Sequence, residues 1–210
     1  MKIKTTVNTI KALLLTAGKK DVRYYLNSIH IDIKKVSAVL VSTDGYRLTA
    51  IDTFINKPEG FELEGVTLPR AILESFVKSA TGDVEIEILD KDNTKLSSCN
   101  GVVMDVSNLE CRYPEWRRVL DIDGHAQNIE QAQGMPVNCN LAYLTDLAKI
   151  YKLLANKPKA TNYIIWHNLD NRKIMMTMED NIGFLSIIMG MDYTKTEAPL
   201  PSNLSSTFKH

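Results

Sequence analysis

The chain has little cysteine, glycine or proline: three, ten and seven residues in a length of 210. Cys99, Cys111 and Cys139 are widely spaced and form no CxxC pair, which favours free thiols over a metal site or a disulfide. No apolar run approaches the roughly eighteen residues of a membrane span, and residues 1–5 lack the apolar core of a signal peptide. We therefore expect a cytoplasmic protein without a membrane segment.

The chain also lacks an excess of charge of either sign. It has 25 basic and 25 acidic residues, so its formal net charge is zero. This balance excludes a polybasic nucleic-acid binder that depends on an overall excess of lysine and arginine, but it does not exclude a protein that segregates its charges. At 44% hydrophobic and 24% charged residues, the composition is that of a globular protein with one large domain or two small ones.

Catalytic motifs are missing as well. The sequence contains no GxSxG, HExxH or GxxxxGK[ST] pattern, and its four histidines are scattered. Residues 90–93 and 121–124 begin like calcium loops but lack the later ligands, so turns are favoured there. We predict no catalytic residue, no metal and no cofactor, and we interpret the chain as a binding protein rather than an enzyme.

The sequence does contain one pattern that repeats three times. Each repeat consists of a strand, an amphipathic helix and three further strands. The first unit is predicted to have a strand at 3–5, a helix at 8–18 and strands at 24–33, 38–43 and 46–54. The second has a strand at 65–68, a helix with Pro69 at its first position and Gly82 at its end, and strands at 83–89, 94–98 and 102–109. The third has a strand at 135–138, a helix at 141–156 capped by Asn140, and strands at 162–167, 173–178 and 183–189.

The predicted fold class is α+β, built from repeated β-α-β-β-β units. We expect a complete two-unit domain at 1–120, a polar linker at 121–134, a half domain at 135–191 and a disordered tail at 192–210. Within the first unit, the apolar run 39–41 followed by Asp44-Gly45 predicts a β-hairpin with a two-residue turn. Spacing alone indicates no more than a hairpin in a β layer.

Four segments give the chain a more specific likeness. Residues 21–27, 43–48, 68–70 and 113–120 resemble, in order and close to the same spacing, the middle domain of the bacterial sliding clamp, the β subunit of DNA polymerase III. Residues 136–191 resemble the closing half of the third domain of that family. The resemblance implies a DNA-clamp fold with antiparallel sheets and helices on one face. It also implies that the first domain and half of the third are missing, which suggests a phage or mobile-element source.

The resemblance implies that the three helices line one concave face towards duplex DNA. Such a face meets phosphates without reading bases, so binding would be independent of sequence and strongly dependent on salt. The predicted DNA-facing residues are Lys11, Lys19, Arg70, Lys78, Lys149 and Lys152. Because Glu74 and Asp146 interrupt these stripes, simple solvation of exposed helices is the alternative.

The family also has a groove that accepts a short motif from polymerases, clamp loaders and repair proteins. Carried over onto this sequence, its lining is Leu26, Thr43, Gly45, Tyr46, Arg47, Leu48, Pro114, Arg118, Val119, Ile187, Ile188, Met189 and Met191. Arg47 and Arg118 are expected to hold a peptide carboxylate or carbonyl at the rim. The alternative is an ordinary interdomain core. Tyr46 stands where the family usually has histidine, and Gly190 where it often has proline.

The leading hypothesis is a sliding-clamp-like replication protein that binds clamp-binding motifs and encircles DNA as a processivity factor. Family rings contain about a dozen of these units, so three units per chain imply a homotetramer. The alternative is a decoy that keeps the groove without the ring and competes with the host clamp for its partners. A third hypothesis is an interaction domain with no role in replication.

Overall fold

A computed structural model describes residues 1–120, 139–155, 163–168, 173–178 and 181–190. The first unit comprises β1 (Lys2–Thr6), α1 (Val7–Thr16), β2 (Ser28–Ile33), β3 (Ser37–Thr43) and β4 (Arg47–Asn56). The second comprises β5 (Gly65–Pro69), α2 (Arg70–Ser79), β6 (Asp83–Ile88), β7 (Asn93–Ser98) and β8 (Val103–Ser107). The third contributes α3 (Leu141–Leu154), β9 (Tyr163–Asn168), β10 (Lys173–Met178) and β11 (Asn181–Met189). The predicted linker 121–134, strand 135–138 and tail 192–210 lie outside the described residues.

The first two units exchange their opening strands. The sheet runs in the order β5-β2-β3-β4-β1-β6-β7-β8, so β5 extends the sheet of the first unit and β1 extends that of the second. All these pairs are antiparallel, as the resemblance implied. Each unit therefore completes the sheet of the other and covers one of its edges.

The long strand β4 connects the third unit to the first. Its end pairs with β1 at Ile55, whereas its beginning, from Arg47 to Ile51, pairs with β11. In this register Ile187 lies opposite Leu48. The last strand of the third unit therefore continues the sheet of the first unit beside the 43–48 hairpin.

The helices pack on one another as well as on the sheet. Helix α1 contacts both α2 and α3, and its side chains are buried on nearly every side, including Ala12 and Leu13 with no exposed surface. The main apolar core contains residues of all three helices, among them Phe76 and Ile150. The sequence spacing predicts one buried face made of Ile10, Leu13, Leu14 and Ala17, and all four are buried.

Side-chain caps start two of the helices. The Thr6 hydroxyl accepts the Thr9 amide at 3.1 Å, and the predicted cap Asn140 accepts the Ala142 amide at 2.9 Å. The predicted role of Pro69 is wrong by one position, since Pro69 has extended backbone and the helix begins at Arg70. Gly82 does not end this helix either. The helix stops at Ser79, and Gly82, with φ +67°, turns the chain into β6.

Two further predictions need correction. Residues 24–26 were expected to begin a strand but form a 3-10 turn, and the strand starts at Ser28. The side-chain spacing in α3 predicts that Leu144, Leu147, Ala148, Tyr151 and Leu154 are buried, yet Leu144 and Ala148 are exposed, whereas Ile150 is fully buried. Apolar residues lie on more than one side of this helix, and contact with α1 decides which side is covered. No helix in the described part of the chain is long and apolar enough to cross a membrane.

Candidate functional site

The 43–48 hairpin is shaped by its own aspartate. The pair Thr43–Leu48 closes the ladder, so the connection is longer than the predicted two-residue turn. The Asp44 carboxylate accepts the amides of Tyr46 at 3.0 Å and Arg47 at 3.1 Å, which replaces the missing ladder hydrogen bonds. Gly45 has φ +90°, and an added Cβ would lie 3.0 Å from the Arg23 guanidinium. Glycine is therefore required both for the turn and for the approach of Arg23.

The segment 113–119 forms a wall opposite this hairpin and is anchored by a buried aspartate on β2. Asp32 is 8% exposed and accepts a hydrogen bond from Trp116 Nε1 at 3.0 Å. It also accepts one from Arg117, whose guanidinium stacks 4.3 Å above the Trp116 ring. Burial acts to raise the pKa of Asp32, but the hydrogen bonds from Arg117 and Trp116 outweigh it, so the pKa lies below its ordinary value.

An aromatic stack supports the start of the same wall. The rings of His30 and Tyr113 lie 4.5 Å apart and nearly parallel, and His30 Nδ1 contacts the Thr67 hydroxyl at 2.9 Å. Burial lowers the pKa of His30 from 6.5 to about 4. The nearby Asp32 carboxylate acts to raise this pKa, and the Arg117 cation acts to lower it. Burial also raises the pKa of Tyr113. Both rings are therefore neutral near neutral pH and act as packing groups.

Hairpin, wall and last strand enclose a cavity of about 320 Å³. Its lining is Arg23, Tyr25, Leu26, Thr43, Gly45, Arg47, Leu48, Pro114, Glu115, Trp116, Val119, Ile187 and Met189. Beneath it lies a second apolar core, separate from the main one and containing Leu48, Trp116, Met175 and Ile187. The cavity is thus an apolar slot with a floor contributed by the first and third units, and we call it the pocket.

Nine of the thirteen residues predicted for the groove line this pocket: Leu26, Thr43, Gly45, Arg47, Leu48, Pro114, Val119, Ile187 and Met189. Tyr46 and Arg118 are exposed outside the lining, and Met191 lies outside the described residues. Ile188 is fully buried in the main core, because side chains alternate along β11 and its neighbours Ile187 and Met189 face the pocket instead.

The prediction missed four residues of the lining: Arg23, Tyr25, Glu115 and Trp116. All four lie inside the segments 21–27 and 113–120 that carried the resemblance. Their neighbours Leu26 and Pro114 were selected, so the sequence did indicate the right segments. The sequence did not predict the 3-10 turn at Tyr24–Leu26. In a strand, successive side chains would point to opposite faces, and the turn changes those directions.

Arg47 does not have the free rim role that was expected of it. Its side chain is 11% exposed, and its Nε and Nη1 pair with Asp44 at 3.0 Å and with Asp146 on α3 at 2.7 Å. Nη2 donates to the Leu15 carbonyl at 2.7 Å, and the guanidinium lies 4.5 Å above the Tyr143 ring. Each nitrogen has a partner and three of the five N–H donors are used, so Arg47 joins the hairpin to α1 and α3 and is held in place there.

Arg23 is the basic residue at the mouth of the pocket. Its Nε and Nη2 form a two-point pair with Asp21 at 3.0 and 2.8 Å, which lowers the pKa of Asp21 to about 2. Nη2 also donates to the Asp44 carbonyl at 3.2 Å, whereas Nη1 has no acceptor among the described residues. The side chain is 44% exposed, and Nη1 lies beside Gly45 of the hairpin, 3.0 Å from where a Cβ of that residue would be.

The predicted DNA-facing residues divide into three groups. Lys11, Lys149 and Lys152 surround a groove of about 460 Å³ between α1 and α3, with Leu14, Leu15 and Leu153 also in its lining. Lys19 and Lys78 are exposed elsewhere. Arg70 was predicted on the solvent-exposed stripe, but its side chain is only 15% exposed. It pairs with Glu74 at 2.8 Å and donates to the Ala17 and Gly18 carbonyls at the end of α1.

Comparison with known proteins agrees with this geometry. The sequence model of the DNA polymerase III beta subunit, central domain, matches residues 1–115. The chain is 28% identical to the beta sliding clamp of Buchnera aphidicola over 111 residues, which are 53% of this chain and 30% of that protein. It is 26% identical to the beta sliding clamp of Chlamydia muridarum over 111 residues, 52% of this chain and 30% of that protein.

Solved sliding clamps have the same fold. The clamp of Bacillus subtilis superposes with a TM-score of 0.70 at 13% identity, covering 92% of this chain and 65% of that one. For the clamp of Pseudomonas aeruginosa the TM-score is 0.66 at 16% identity, covering 91% and 67%. The predicted α+β clamp fold is therefore confirmed.

The match to curated relatives extends over only 30% of their length, so their activity as whole proteins does not transfer to this chain by similarity alone. The match to the central domain, by contrast, extends over more than half of this chain. On that ground the chain belongs to the DNA polymerase III beta subunit family, through the central domain of that subunit.

Proposed function

We propose that this chain is a sliding-clamp-like replication protein whose pocket binds short motifs carried by DNA polymerases, clamp loaders and repair proteins. The observation that carries the proposal is the composition of the pocket. Leu26, Leu48, Val119 and Ile187 come from distant parts of the chain and line one mostly apolar cavity. Its volume of about 320 Å³ is that of a small ligand site and suits one or two bulky side chains.

The apolar slot supplies the affinity. Burying one leucine or phenylalanine side chain of a peptide contributes about 1.5–3 kcal/mol, and ordering the peptide offsets part of that gain. Met189 is half-buried in the wall of the slot and can adapt to guests of different shape. A peptide with two bulky apolar residues should therefore bind with a Kd in the micromolar range.

Arg23 supplies a polar contact at the mouth. Its Nη1 has no acceptor among the described residues, and Asp21 fixes the guanidinium in place through two hydrogen bonds. A carboxylate or backbone carbonyl of the bound peptide is the natural acceptor. Arg23 takes the rim role that the sequence analysis assigned to Arg47 and Arg118.

A known ligand of related proteins provides a second probe. The sliding clamps of Bartonella birtlesii and Pseudomonas aeruginosa have been solved bound to griselimycin. On our proposal, griselimycin competes with the peptide for the pocket of this chain.

The helix groove is proposed to face duplex DNA. Lys11, Lys149 and Lys152 place three ammonium groups around one groove, although Lys149 also pairs with Asp146 at 2.8 Å. Exposed lysines of this kind attract phosphates without selecting a sequence. Encirclement of DNA by a homotetramer extends this proposal.

A decoy is the second candidate, and one observation favours it. Every residue that lines the pocket belongs to one chain, so peptide capture does not require a ring. A monomer or simple dimer could compete with a host clamp for its partners. Light-scattering chromatography at several concentrations separates the candidates, because the processivity factor predicts about four chains per particle.

Peptide binding itself is tested by fluorescence anisotropy. The probe is a fluorescein-labelled peptide with the clamp-binding motif of a bacterial replicative polymerase, and its control has alanine at the bulky apolar positions. Met189→Ala should weaken binding about tenfold, because part of the slot wall is removed. Met104→Ala, at a half-buried methionine of β8 outside the pocket, should have no effect. Failure of the wild type to bind, or equal losses in both variants, would refute the proposal.

A further inference from the structure

We propose that Lys173 is a positioning residue that holds the wall of the pocket against the third unit; this inference rests on the proposed function. Lys173 is the first residue of β10 and is only 7% exposed. Its ammonium donates to the Val119 carbonyl at 3.1 Å, and Val119 lines the pocket. No feature of the sequence marked this lysine in advance.

The strand register puts Lys173 on the pocket side of the sheet. Its cross-strand partner is Met189, and two residues further along β10, Met175 pairs with Ile187. Met189 and Ile187 both line the pocket, and cross-strand partners project from the same face of a sheet. Lys173 therefore lies where the last strands meet the wall.

The chemistry at this junction explains a charged residue there. Val119 is the last residue of a 3-10 turn, Trp116–Val119. The last carbonyls of such a turn accept no hydrogen bond from the backbone N–H groups of the turn itself. A lysine supplies donors on a long chain, so it can reach this carbonyl from β10. Lysine is seldom buried to this degree, which points to the positional task and not to packing.

The wall is consequently fixed at both ends by buried charged side chains from different units. Asp32 of the first unit holds Trp116 and Arg117 at one end, and Lys173 of the third unit holds Val119 at the other. Lys173 thereby sets the separation between Val119 and Met189, the two sides of the slot. We expect it to determine affinity and to determine how well the slot discriminates among apolar guests.

The test uses the full chain with three variants. Lys173→Met removes the ammonium but keeps the length and apolar stem, Lys173→Arg keeps a donor, and Lys95→Met is a control on β7 outside the pocket lining. Lys173→Met should weaken binding of the labelled polymerase peptide about tenfold. It should not lower the thermal midpoint, because removing a buried cation offsets the missing hydrogen bond. Lys173→Arg should restore most of the affinity, and Lys95→Met should leave it unchanged.

A spectroscopic readout on the free protein makes the inference independent of peptide binding. Incorporated 5-fluorotryptophan reports on Trp116 in the wall by ¹⁹F NMR, and a Trp166→Phe variant assigns the second resonance. Lys173→Met should shift or broaden the Trp116 resonance, and Lys95→Met should not.

The outcomes separate the two proposals. Weaker binding and an altered Trp116 resonance in Lys173→Met alone support the positioning role. Unchanged affinity and an unchanged resonance overturn it, as does a loss of affinity that simply follows a loss of thermal stability. If the wild type binds no peptide, the proposed function fails. The positioning role is then decided by the Trp116 resonance, which supports it if altered and overturns it if unchanged.

Discussion

The pocket and the helix groove are both lined by leucines and basic residues, yet they hold their charges in opposite ways. In and around the pocket, Arg47, Asp32 and Lys173 are buried or nearly so, and each has identified partners. Around the groove, Lys11 and Lys152 are exposed to solvent. A buried, paired charge fixes geometry, whereas an exposed lysine remains adaptable and screened by salt. The first arrangement suits recognition of a defined shape, and the second suits a uniform polyanion.

The largest expected effect on stability comes from removing one of the buried, paired charges near the pocket. Arg47→Met removes two ion pairs and a hydrogen bond to a carbonyl, and it leaves Asp44 and Asp146 without their shared cation. Removing one partner of a buried pair costs about 3–5 kcal/mol, so the free energy of unfolding in urea should fall by that order. Arg118→Ala, at an exposed arginine of the wall, is the control and should change it by less than about 0.5 kcal/mol. Equal effects would contradict the assigned role of Arg47.

A second effect depends on pH and arises behind the wall. The folded-state pKa of His30 is lowered to about 4, so between pH 6.5 and 4 the unfolded chain binds a proton that the folded chain does not. Stability should therefore fall as pH is lowered through that window, by about 3 kcal/mol in total. His30→Gln keeps a polar contact for Thr67 and should remove this part of the curve. Asp32, with its lowered pKa, contributes only at more acidic pH.

Urea unfolding of both proteins at half-unit pH intervals measures the difference. The curves should run parallel above pH 6.5, where His30 is neutral in both the folded and the unfolded chain, and should separate below it. A constant offset between wild type and His30→Gln at every pH would show that folding does not lower the pKa of His30.

Removing the exposed lysines of the helix groove should alter the salt dependence of DNA binding and leave the stability of the protein almost unchanged. Replacing Lys11, Lys149 and Lys152 by alanine should reduce the slope of log K against log salt for duplex DNA by about 0.9 for each phosphate that is no longer neutralised. Filter binding or anisotropy with a labelled duplex measures this slope. Binding of the polymerase peptide should not change, and a matched fall in peptide affinity would mean that the groove and the pocket are not separate sites.

The smallest expected effect concerns peptide affinity and tests which arginine contacts the peptide at the mouth of the pocket. Arg23→Ala should weaken a peptide that carries an acidic residue about tenfold, because it removes a charge-assisted hydrogen bond at the mouth. Arg118→Ala should leave it within about twofold, since Arg118 does not line the pocket. Anisotropy titrations with an aspartate peptide and its asparagine counterpart measure both changes. The reverse ranking would restore the rim that the sequence analysis predicted.

Much of the fold could be predicted from the sequence because it depends on local periodicity. The buried positions of α1 and the Asn140 cap follow from side-chain spacing and capping chemistry. The exchange of β1 and β5 could not be derived in the same way, since strand partners at long range are not encoded in any one segment. The prediction of which face of α3 is exposed was wrong for a related reason. This helix has apolar residues on several sides, and its contact with α1 decides which side is buried.

The pocket shows the same division. The predicted segments 43–48 and 113–120 and the strand β11 contribute to one cavity, which nine of the predicted residues line. The roles of the charged residues were assigned less well, because the partner that occupies a guanidinium or an ammonium lies far away in sequence. Asp146 is 99 residues from Arg47, and Val119 is 54 residues from Lys173. Such pairs form only when the sheets are assembled.

The central claim is that apolar side chains of a partner peptide enter the pocket and not the helix groove. Photocrosslinking tests it most directly, using the polymerase peptide with benzoylphenylalanine at a bulky apolar position and mass spectrometry to locate the products. Our account predicts crosslinks at Met189, Leu48 and Val119, which line the pocket. Crosslinks confined to Leu14, Leu15 and Leu153 in the helix groove would contradict it.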